Sequence, residues 1–297
     1  MADHLDIQVL KDIQNGLRPS TQKQYKAHWK EFSLFAKSRG RQVLPASSYT
    51  VLLYVALMHQ QGKQVSTIRC RLAAIADRHK LANLFDPTVS YAVGRMLKGY
   101  SKQGTHKLRE PIGKLMLGLL LKYYDIYSYD NILYKALFSV MYAASLRIGE
   151  VAYSGVADHI ILFENCKLND EGNIILHLHS FKHSKKYVDI LLHKNNTDLI
   201  CPVHNLRCYL AIRGIGHGPL FVNSKGLRLS RQTVAVELDR MLSKAGFDET
   251  VYNTHSLRIG KATDMFLEGA SDEYIKQSGR WNTDAWKAYL KPAFIST

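Results

Sequence analysis

The chain has 297 residues, of which 46% are hydrophobic, so it can bury substantial cores and has the length of about two domains. This composition excludes a disordered chain as the default. The formal net charge of +15 is uneven: residues 1–108 contain 17 lysines and arginines against 6 acidic residues, whereas residues 109–297 contain 23 against 19. Such an N-terminal excess fits a polyanionic partner, because neutralising phosphates releases counterions. A merely soluble basic surface is the alternative interpretation.

Cysteines and apolar runs indicate the compartment. Four cysteines are too few for a disulfide scaffold and favour a reducing environment. The apolar run at residues 51–58 is too short to span a bilayer, and the acidic N-terminus does not resemble a signal peptide. We therefore expect a soluble intracellular protein without a membrane partner.

One group of residues has the chemistry of metal ligands. Cys201, His204 and Cys208 lie close in the sequence, but a second pair of the CxxC type is lacking. The same stretch is typical of a helix start with an apolar buried face, and this interpretation is preferred over a zinc site. We expect no metal and no cofactor.

Residues 1–100 are predicted to form a helical domain. Thr21 and Gln24 have the spacing of a capping box, and aromatic residues then recur at helical intervals. The other predicted features are a helix over residues 49–60, a helix capped by Ser66, a break at Asp86-Pro87 and a helix over residues 91–100.

The helix predicted after Ser66 carries basic residues beside its apolar stripe. Arg69, Arg71 and Lys80 project away from that stripe. A solvated charged face is the commoner meaning of such residues, but within so basic a domain they are also candidates for DNA phosphate contacts. Residues 101–110 are polar and basic and are predicted to be a linker, so that two domains can close around a duplex as a DNA clamp.

Residues 111–297 are predicted to form a second domain that is mainly α-helical with a small antiparallel β-sheet. A turn at residues 170–173 separates the first two strands, and a lysine-rich tip separates the second from the third. The predicted strands are residues 159–163, 174–179 and 187–192, and the predicted helices before the C-terminal stretch are residues 112–124, 131–145, 201–213 and 230–245.

The stretch near the C-terminus holds side chains suited to phosphodiester chemistry. His255 and Arg258 are predicted on one face of a helix capped by Thr254, because residues three apart are neighbours on a helix. Trp281 follows in a short turn, and Tyr289 lies on a last predicted helix. A lone tyrosine of this kind is usually a core residue, but the combination can grip and attack a phosphodiester without a metal.

Further charged residues precede this stretch. Arg147 follows a buried helix and adjoins a glycine two residues on, which suits an oxyanion clamp; a surface salt bridge with Glu150 explains it equally well. Lys182 lies in the hairpin tip with Lys185 and Lys186, where it can reach a substrate or remain solvated.

In order and spacing, these residues resemble the active site of tyrosine site-specific recombinases, the phage integrase-like family. The N-terminal helices are similar to that family's core-binding domain, and the wording of HSLRIGKAT and GRWNTDAWKAYL is similar to recombinases of DIRS and Crypton mobile elements. The resemblance rests on Arg147 within ASLRIGE, Lys182 at a hairpin, His255 and Arg258 within HSLR, Trp281 after Gly-Arg, and Tyr289.

The resemblance implies an enzyme that cuts and rejoins DNA strands through a covalent 3′-phosphotyrosine, without metal or ATP, to integrate or excise a mobile element. Its partners would be double-stranded DNA and further copies of the chain, from dimer to tetramer, in the nucleus if the host is eukaryotic. The implied roles are a phosphate clamp for Arg147 and Arg258, hydrogen bonding or acceptance of the tyrosine proton for His255, hydrogen-bond donor for Trp281, general acid for Lys182, nucleophile for Tyr289 and support of Arg147 for Glu150.

Two alternatives stay open. A type IB topoisomerase uses a similar set of residues and would relax any supercoiled plasmid. A catalytically silent DNA-binding protein would form no covalent adduct.

Overall fold

The computed structural model describes residues 4–103, 109–153, 159–179, 187–195 and 199–290. The chain divides into two compact units, Met1–His106 and Lys107–Thr297. In the described ranges, no helix combines the length and the apolar character needed to cross a lipid bilayer.

The first unit is a helical bundle around aromatic and aliphatic side chains. Phe32 and Tyr54 meet edge to face with ring centroids 5.3 Å apart, and Ile68 and Ile75 are fully buried beside them. Buried aromatic pairs of this geometry add to the stability gained by removing apolar area from water. The α-helices described in this unit are α1 (His4–Asn15), α2 (Pro19–Ser38), α3 (Ser48–Gln60), α4 (Val65–Leu81) and α5 (Tyr91–Gln103).

Several helix starts in the first unit differ from the prediction. Helix α1 has no counterpart among the predicted helices, and α2 begins at Pro19, whose missing N–H is harmless in the first turn. Thr21 therefore lies inside α2, and the predicted capping box is wrong. Helix α4 begins one residue before its predicted cap, Ser66. Helix α5 continues to Gln103, so the predicted linker starts as helix, and its residues 104–108 lie outside the described part.

The second unit is mainly α-helical, as predicted. Helix α7 is buried along most of its length and packs against α9 and α11. Helices α9 and α10 begin at the predicted places, where Cys201 Sγ and Ser230 Oγ accept hydrogen bonds from backbone N–H groups of the first turn. The α-helices described here are α6 (Lys114–Leu121), α7 (Tyr129–Ala143), α8 (Ile148–Val151), α9 (Pro202–Arg213), α10 (Arg231–Lys244), α11 (His255–Leu267) and α12 (Asp272–Gly279).

The predicted small antiparallel sheet is present among the described residues. Its strands β1 (Cys166–Leu168), β2 (Ile174–Leu178) and β3 (Val188–Leu192) pair in the order β1-β2-β3. The first predicted strand, residues 159–163, is wrong, because Leu162 forms an isolated bridge with Pro219 and the strand that pairs with β2 starts at Cys166. The sheet's predicted turn at residues 170–173 is confirmed.

Helix α11 is fixed by close contacts with the segment that leads into α6. The backbone N–H of Ile112 donates to the Ser256 carbonyl at 2.9 Å, and a Cβ on Gly260 would overlap the Ile112 carbonyl group. Asp264 Oδ2 accepts hydrogen bonds from the Lys114 N–H and the Tyr142 hydroxyl. These contacts hold the start of α11, with its functional side chains, in one place.

Candidate active site

His255 and Tyr289 form the centre of the candidate active site. His255 is the first residue of α11, and its backbone N–H donates to Asn253 Oδ1 at 2.9 Å. The predicted cap, Thr254, has helical backbone angles and makes no capping bond, so that prediction is wrong. Nε2 of His255 lies 2.9 Å from Oη of Tyr289. This distance allows the imidazole to accept the proton of the tyrosine hydroxyl.

Tyr289 ends a 3-10 helix, Asp284–Tyr289, and not the predicted α-helix. Trp286 is fully buried in a small cluster with side chains of α11 and α12, and it anchors this segment. Two surface ion pairs also join the segment to α12. Lys276 Nζ lies 2.6 Å from Asp284 Oδ1, and Lys287 Nζ lies 2.6 Å from Asp272 Oδ2. Side-chain packing and surface charge together set the position of the tyrosine.

Trp281 links the tyrosine to Arg258. The Arg258 Cζ lies 4.1 Å from the centroid of the Trp281 indole ring. The Tyr289 ring meets the Trp281 ring edge-on, with the two centroids 6.0 Å apart. A guanidinium at this distance over an indole makes a cation–π contact. Gly279 makes room for the ring, since a Cβ there would overlap the six-membered ring of Trp281.

Arg258 is a fully buried cation. Its Nη1 donates to the Ser145 carbonyl and its Nη2 to the Gly279 carbonyl, while its Nε has no hydrogen-bond partner among the described residues. Burial, together with the nearby charges of Arg147 and Arg280, lowers the pKa of Arg258 to about 9. The guanidinium is therefore still charged at neutral pH. A buried cation beside other cations favours a bound anion.

Glu150 joins two further arginines to this site. Arg147 precedes α8; its Nη1 donates to Glu150 Oε1 at 3.2 Å, and its backbone N–H donates to Oε2 at 3.0 Å. Arg280 Nη2 donates to the same Oε2 at 2.8 Å. Burial lowers the pKa of Arg280, although the charge of Glu150 opposes the shift. Arg147 and Arg280 bond this one buried carboxylate, and the charge of Arg258 is felt by all three groups, so the site keeps an excess of positive charge.

Arg280 is a residue that the sequence analysis did not single out. Arg280 lies between Gly279 and Trp281 in the sequence, and no role was predicted for it there. Its partners Ala144, Ser145 and Glu150 lie 130 or more positions earlier in the chain. Such contacts leave no local pattern that a sequence reading can detect.

The structure brings together most of the predicted site residues. Lys182 and its neighbours Lys185 and Lys186 lie outside the described residues. The residues that the structure does assemble are Arg147, Glu150, His255, Arg258, Trp281 and Tyr289.

The basic residues predicted to contact DNA lie on α4 in the first unit. Arg69 is exposed. Arg71 is mostly buried, and its Nε lies 3.0 Å from Glu31 Oε2. Lys80 is exposed and its Nζ lies 3.2 Å from Asp86 Oδ2. Contact with DNA stays a prediction for all three, and for Arg71 and Lys80 it must compete with these ion pairs.

The cysteines near the start of α9 take part in its local structure. Cys201 is buried and caps α9, while Cys208 Sγ lies 3.6 Å from His204 Nε2. In the described part of the chain, no group of three or more cysteine, histidine and acidic side chains is placed to hold a metal ion.

Comparison with known proteins adds an independent observation. The model of the phage integrase family matches residues 118–289, which is more than half of the chain. The chain belongs to the phage integrase family. The matched span includes the candidate site residues described above, from Arg147 to Tyr289.

Individual relatives agree with membership of the phage integrase family. The integrase/recombinase xerD homolog of Selenomonas ruminantium is 27% identical over 280 residues, which cover 88% of this chain and 78% of that protein. A lambda integrase tetramer bound to a Holliday junction has a TM-score of 0.66 at 14% identity, covering 97% of this chain and 76% of that one. The Tn1549 transposon integrase in complex with transposon right end DNA has a TM-score of 0.62 at 12% identity, covering 95% and 93%. At these identities the structural likeness establishes the fold.

Proposed function

We propose that this chain is a site-specific DNA recombinase that cuts and rejoins DNA strands with Tyr289 as its nucleophile. The observation that carries this proposal is the 2.9 Å contact between Tyr289 Oη and His255 Nε2, next to buried Arg258. A phenol that faces a proton acceptor and excess positive charge is suited to attack a phosphodiester. Membership in the phage integrase family and the xerD-like relative support the same activity.

The proposed cleavage step forms one bond and breaks another. Tyr289 Oη attacks the scissile phosphorus, and the bond from phosphorus to the 5′-oxygen breaks, which leaves a 3′-phosphotyrosine. His255 accepts the phenolic proton, and Lys182 gives a proton to the departing 5′-oxygen. Religation is the reverse attack by the 5′-hydroxyl and needs no ATP, because the phosphotyrosine keeps the energy of the diester bond.

Charge stabilisation comes from fixed cations. In the proposed mechanism Arg147 and Arg258 bind the non-bridging oxygens of the phosphate as it passes through the transition state. Trp281 packs against Arg258 and restricts the positions that this guanidinium can take. Preorganised donors of this kind typically contribute a factor of ~100 to ~1,000 each to the rate.

The biological setting follows from the same proposal. Residues 1–100 would bind DNA, residues 101–110 would link the domains, and residues 111–297 would carry catalysis on double-stranded DNA, with copies of the chain assembling there as dimers or tetramers. The sequence motifs HSLRIGKAT and GRWNTDAWKAYL resemble those of DIRS and Crypton recombinases. This resemblance supports an origin in a mobile element of that kind, and the enzyme would then act in a nucleus.

Selection of bound duplexes from a random pool, followed by cleavage mapping, tests the proposal. We expect a defined target, cut at one position per strand, with protein on the 3′ end and a free 5′-hydroxyl. Relaxation of any supercoiled plasmid without a defined target would instead indicate a topoisomerase. Binding to a defined target without a covalent adduct would indicate a silent DNA-binding protein, and either result would contradict the proposal.

A further inference from the structure

We propose that Arg280 is a positioning residue that keeps Arg147 available to the scissile phosphate by occupying one oxygen of Glu150. This inference rests on the proposed function, since it assigns Arg147 to the phosphate. Arg280 itself is almost fully buried and touches carbonyls and a carboxylate, so it acts through its neighbours.

The hydrogen bonds around Glu150 carry the inference. Oε2 accepts from Arg280 Nη2 at 2.8 Å and from the backbone N–H of Arg147 at 3.0 Å, which leaves Oε1 for Arg147 Nη1 at 3.2 Å. A carboxylate and an arginine that meet without competition frequently form a bidentate pair with two parallel bonds. Here Arg280 and the Arg147 backbone fill the second oxygen, so Arg147 keeps one side-chain bond to Glu150.

Hydrogen bonds to two backbone carbonyls, in addition to the bond to Glu150, fix the Arg280 guanidinium in place. Its Nη1 donates to the Ala144 carbonyl at 3.1 Å and its Nη2 to the Ser145 carbonyl at 3.3 Å, and these two residues lie three and two positions before Arg147. Ser145 and Arg280 are both non-glycine residues with left-handed backbones, at φ +47° and +56°. Such conformations persist where surrounding contacts determine them, and they concentrate at functional sites. The Ser145 carbonyl also accepts from Arg258 Nη1, so one peptide orients two arginines of the cluster.

The net charge of the site also supports this role of Arg280. Arg147, Arg258 and Arg280 with Glu150 leave two positive charges at the site, which suits a phosphate whose negative charge grows in the transition state. Without the charge of Arg280, Glu150 would neutralise Arg147 more completely and would be free to close a bidentate pair with it. Arg147 would then bind the phosphate less well.

A set of four proteins tests the inference: wild type, Arg280→Gln, Glu150→Gln and the double variant. We expect Arg280→Gln to slow single-turnover cleavage of the mapped target by about 100-fold with unchanged DNA affinity. In Glu150→Gln the neutral amide cannot form an ion pair with Arg147, but its oxygen can still accept from the backbone N–H of Arg147. The double variant should therefore cleave about tenfold faster than Arg280→Gln, because the excess charge at the site is restored.

Two further variants separate positioning from folding. Arg280→Lys keeps the charge next to Glu150, so it should cleave faster than Arg280→Gln. Arg240→Gln removes an ion-paired arginine of α10 that bonds Glu237, and it should cleave like the wild type. Melting temperatures of all variants are measured in parallel.

The outcomes distinguish this inference from the proposed function. If Arg280→Gln cleaves at the wild-type rate, or if the double variant cleaves no faster than Arg280→Gln, the proposed role of Arg280 is wrong. Neither result would contradict the recombinase activity itself. A loss of cleavage that tracks the melting temperature across the set would show a structural role only and would also overturn it. A wild type that forms no adduct on any selected duplex would overturn both.

Discussion

Oη of Tyr289 lies 2.9 Å from Nε2 of His255, although 34 positions separate the two residues in the chain. The contact exists because α11 begins at His255 while Trp286 holds the 3-10 helix that ends at Tyr289 in a buried cluster. Buried Arg258 adds positive charge within one helical turn of the histidine. The pair therefore combines a nucleophile, a proton acceptor and an electrostatic environment suited to phosphoryl transfer.

Arg258→Met should abolish cleavage and change the stability of the fold little. The buried cation is costly without an anion, but its removal also takes a donor from the Ser145 and Gly279 carbonyls. We therefore expect the free energy of unfolding at pH 7 in phosphate-free buffer to change by no more than ~2 kcal/mol in either direction. Denaturant titration measures it. A loss of more than ~3 kcal/mol would show that the guanidinium mainly supports the structure.

The same variant gives a pH dependence. The folded-state pKa of Arg258 is about 9, below its ordinary value of 12.5, so above pH 9 the unfolded chain binds more protons than the folded one. The cost of the buried charge is complete below pH 9 and falls as pH rises through that value. The stability of the wild type relative to Arg258→Met should therefore increase above pH 9. A difference that is flat or falls over this range would contradict the assigned charge state.

Gly279→Ala should disturb the site through Trp281. The new methyl group would overlap the indole ring, which must then leave its place over Arg258. Losing a cation–π contact worth ~0.5 to ~2 kcal/mol predicts cleavage that is about 2- to 30-fold slower. Gly118→Ala in α6 is the matched control, because its methyl group would meet Ile200 at an ordinary 3.8 Å. Equal rates for the two variants would mean that the position of Trp281 does not matter.

Cleavage should continue in excess EDTA. The motivation is the pair of Arg147 and Arg258, which can stabilise phosphate charge in the way that magnesium does elsewhere. Single-turnover cleavage of the selected duplex, with and without chelator, measures the effect. Loss of activity that added magnesium restores would contradict the mechanism.

Arg69 and Arg71 should differ in their effect on DNA binding. Arg69 is exposed, so Arg69→Ala should reduce the slope of log affinity against log salt by about 1. Arg71 is held by Glu31, and we expect Arg71→Ala mainly to lower stability. Fluorescence anisotropy over a range of potassium chloride concentrations measures the slopes. An unchanged slope for Arg69→Ala would place this side chain away from the DNA.

Local signals in the sequence were sufficient for much of the fold. Cys201 and Ser230 precede helices whose first N–H groups need acceptors, and both helices begin there. The chain around residues 159–163 has the composition of a strand, but its Leu162 pairs with Pro219, which lies far along the chain. Thr254 and Asn253 are both good capping residues, and only the three-dimensional path of the backbone decides that Asn253 makes the bond.

In the candidate site too, local sequence patterns predicted some features and long-range contacts set the others. His255 and Arg258 were predictable because a helix places residues three apart on one side. The form of the last segment was not predictable, because burial of Trp286 and ion pairs with α12 favour a 3-10 helix there. Arg280 remained hidden, since its role depends on Glu150, which lies 130 positions away.

Mapping the covalent adduct on a nicked suicide duplex of the selected sequence tests directly whether Tyr289 is the nucleophile. We expect the wild type to be trapped with DNA on Tyr289, located by peptide mass spectrometry. Tyr289→Phe, which lacks only the hydroxyl oxygen, should fold and bind DNA but form no adduct. Tyr274→Phe, at an exposed tyrosine of α12, should be trapped like the wild type. An adduct on another residue, or cleavage by Tyr289→Phe, would show that Tyr289 is not the nucleophile.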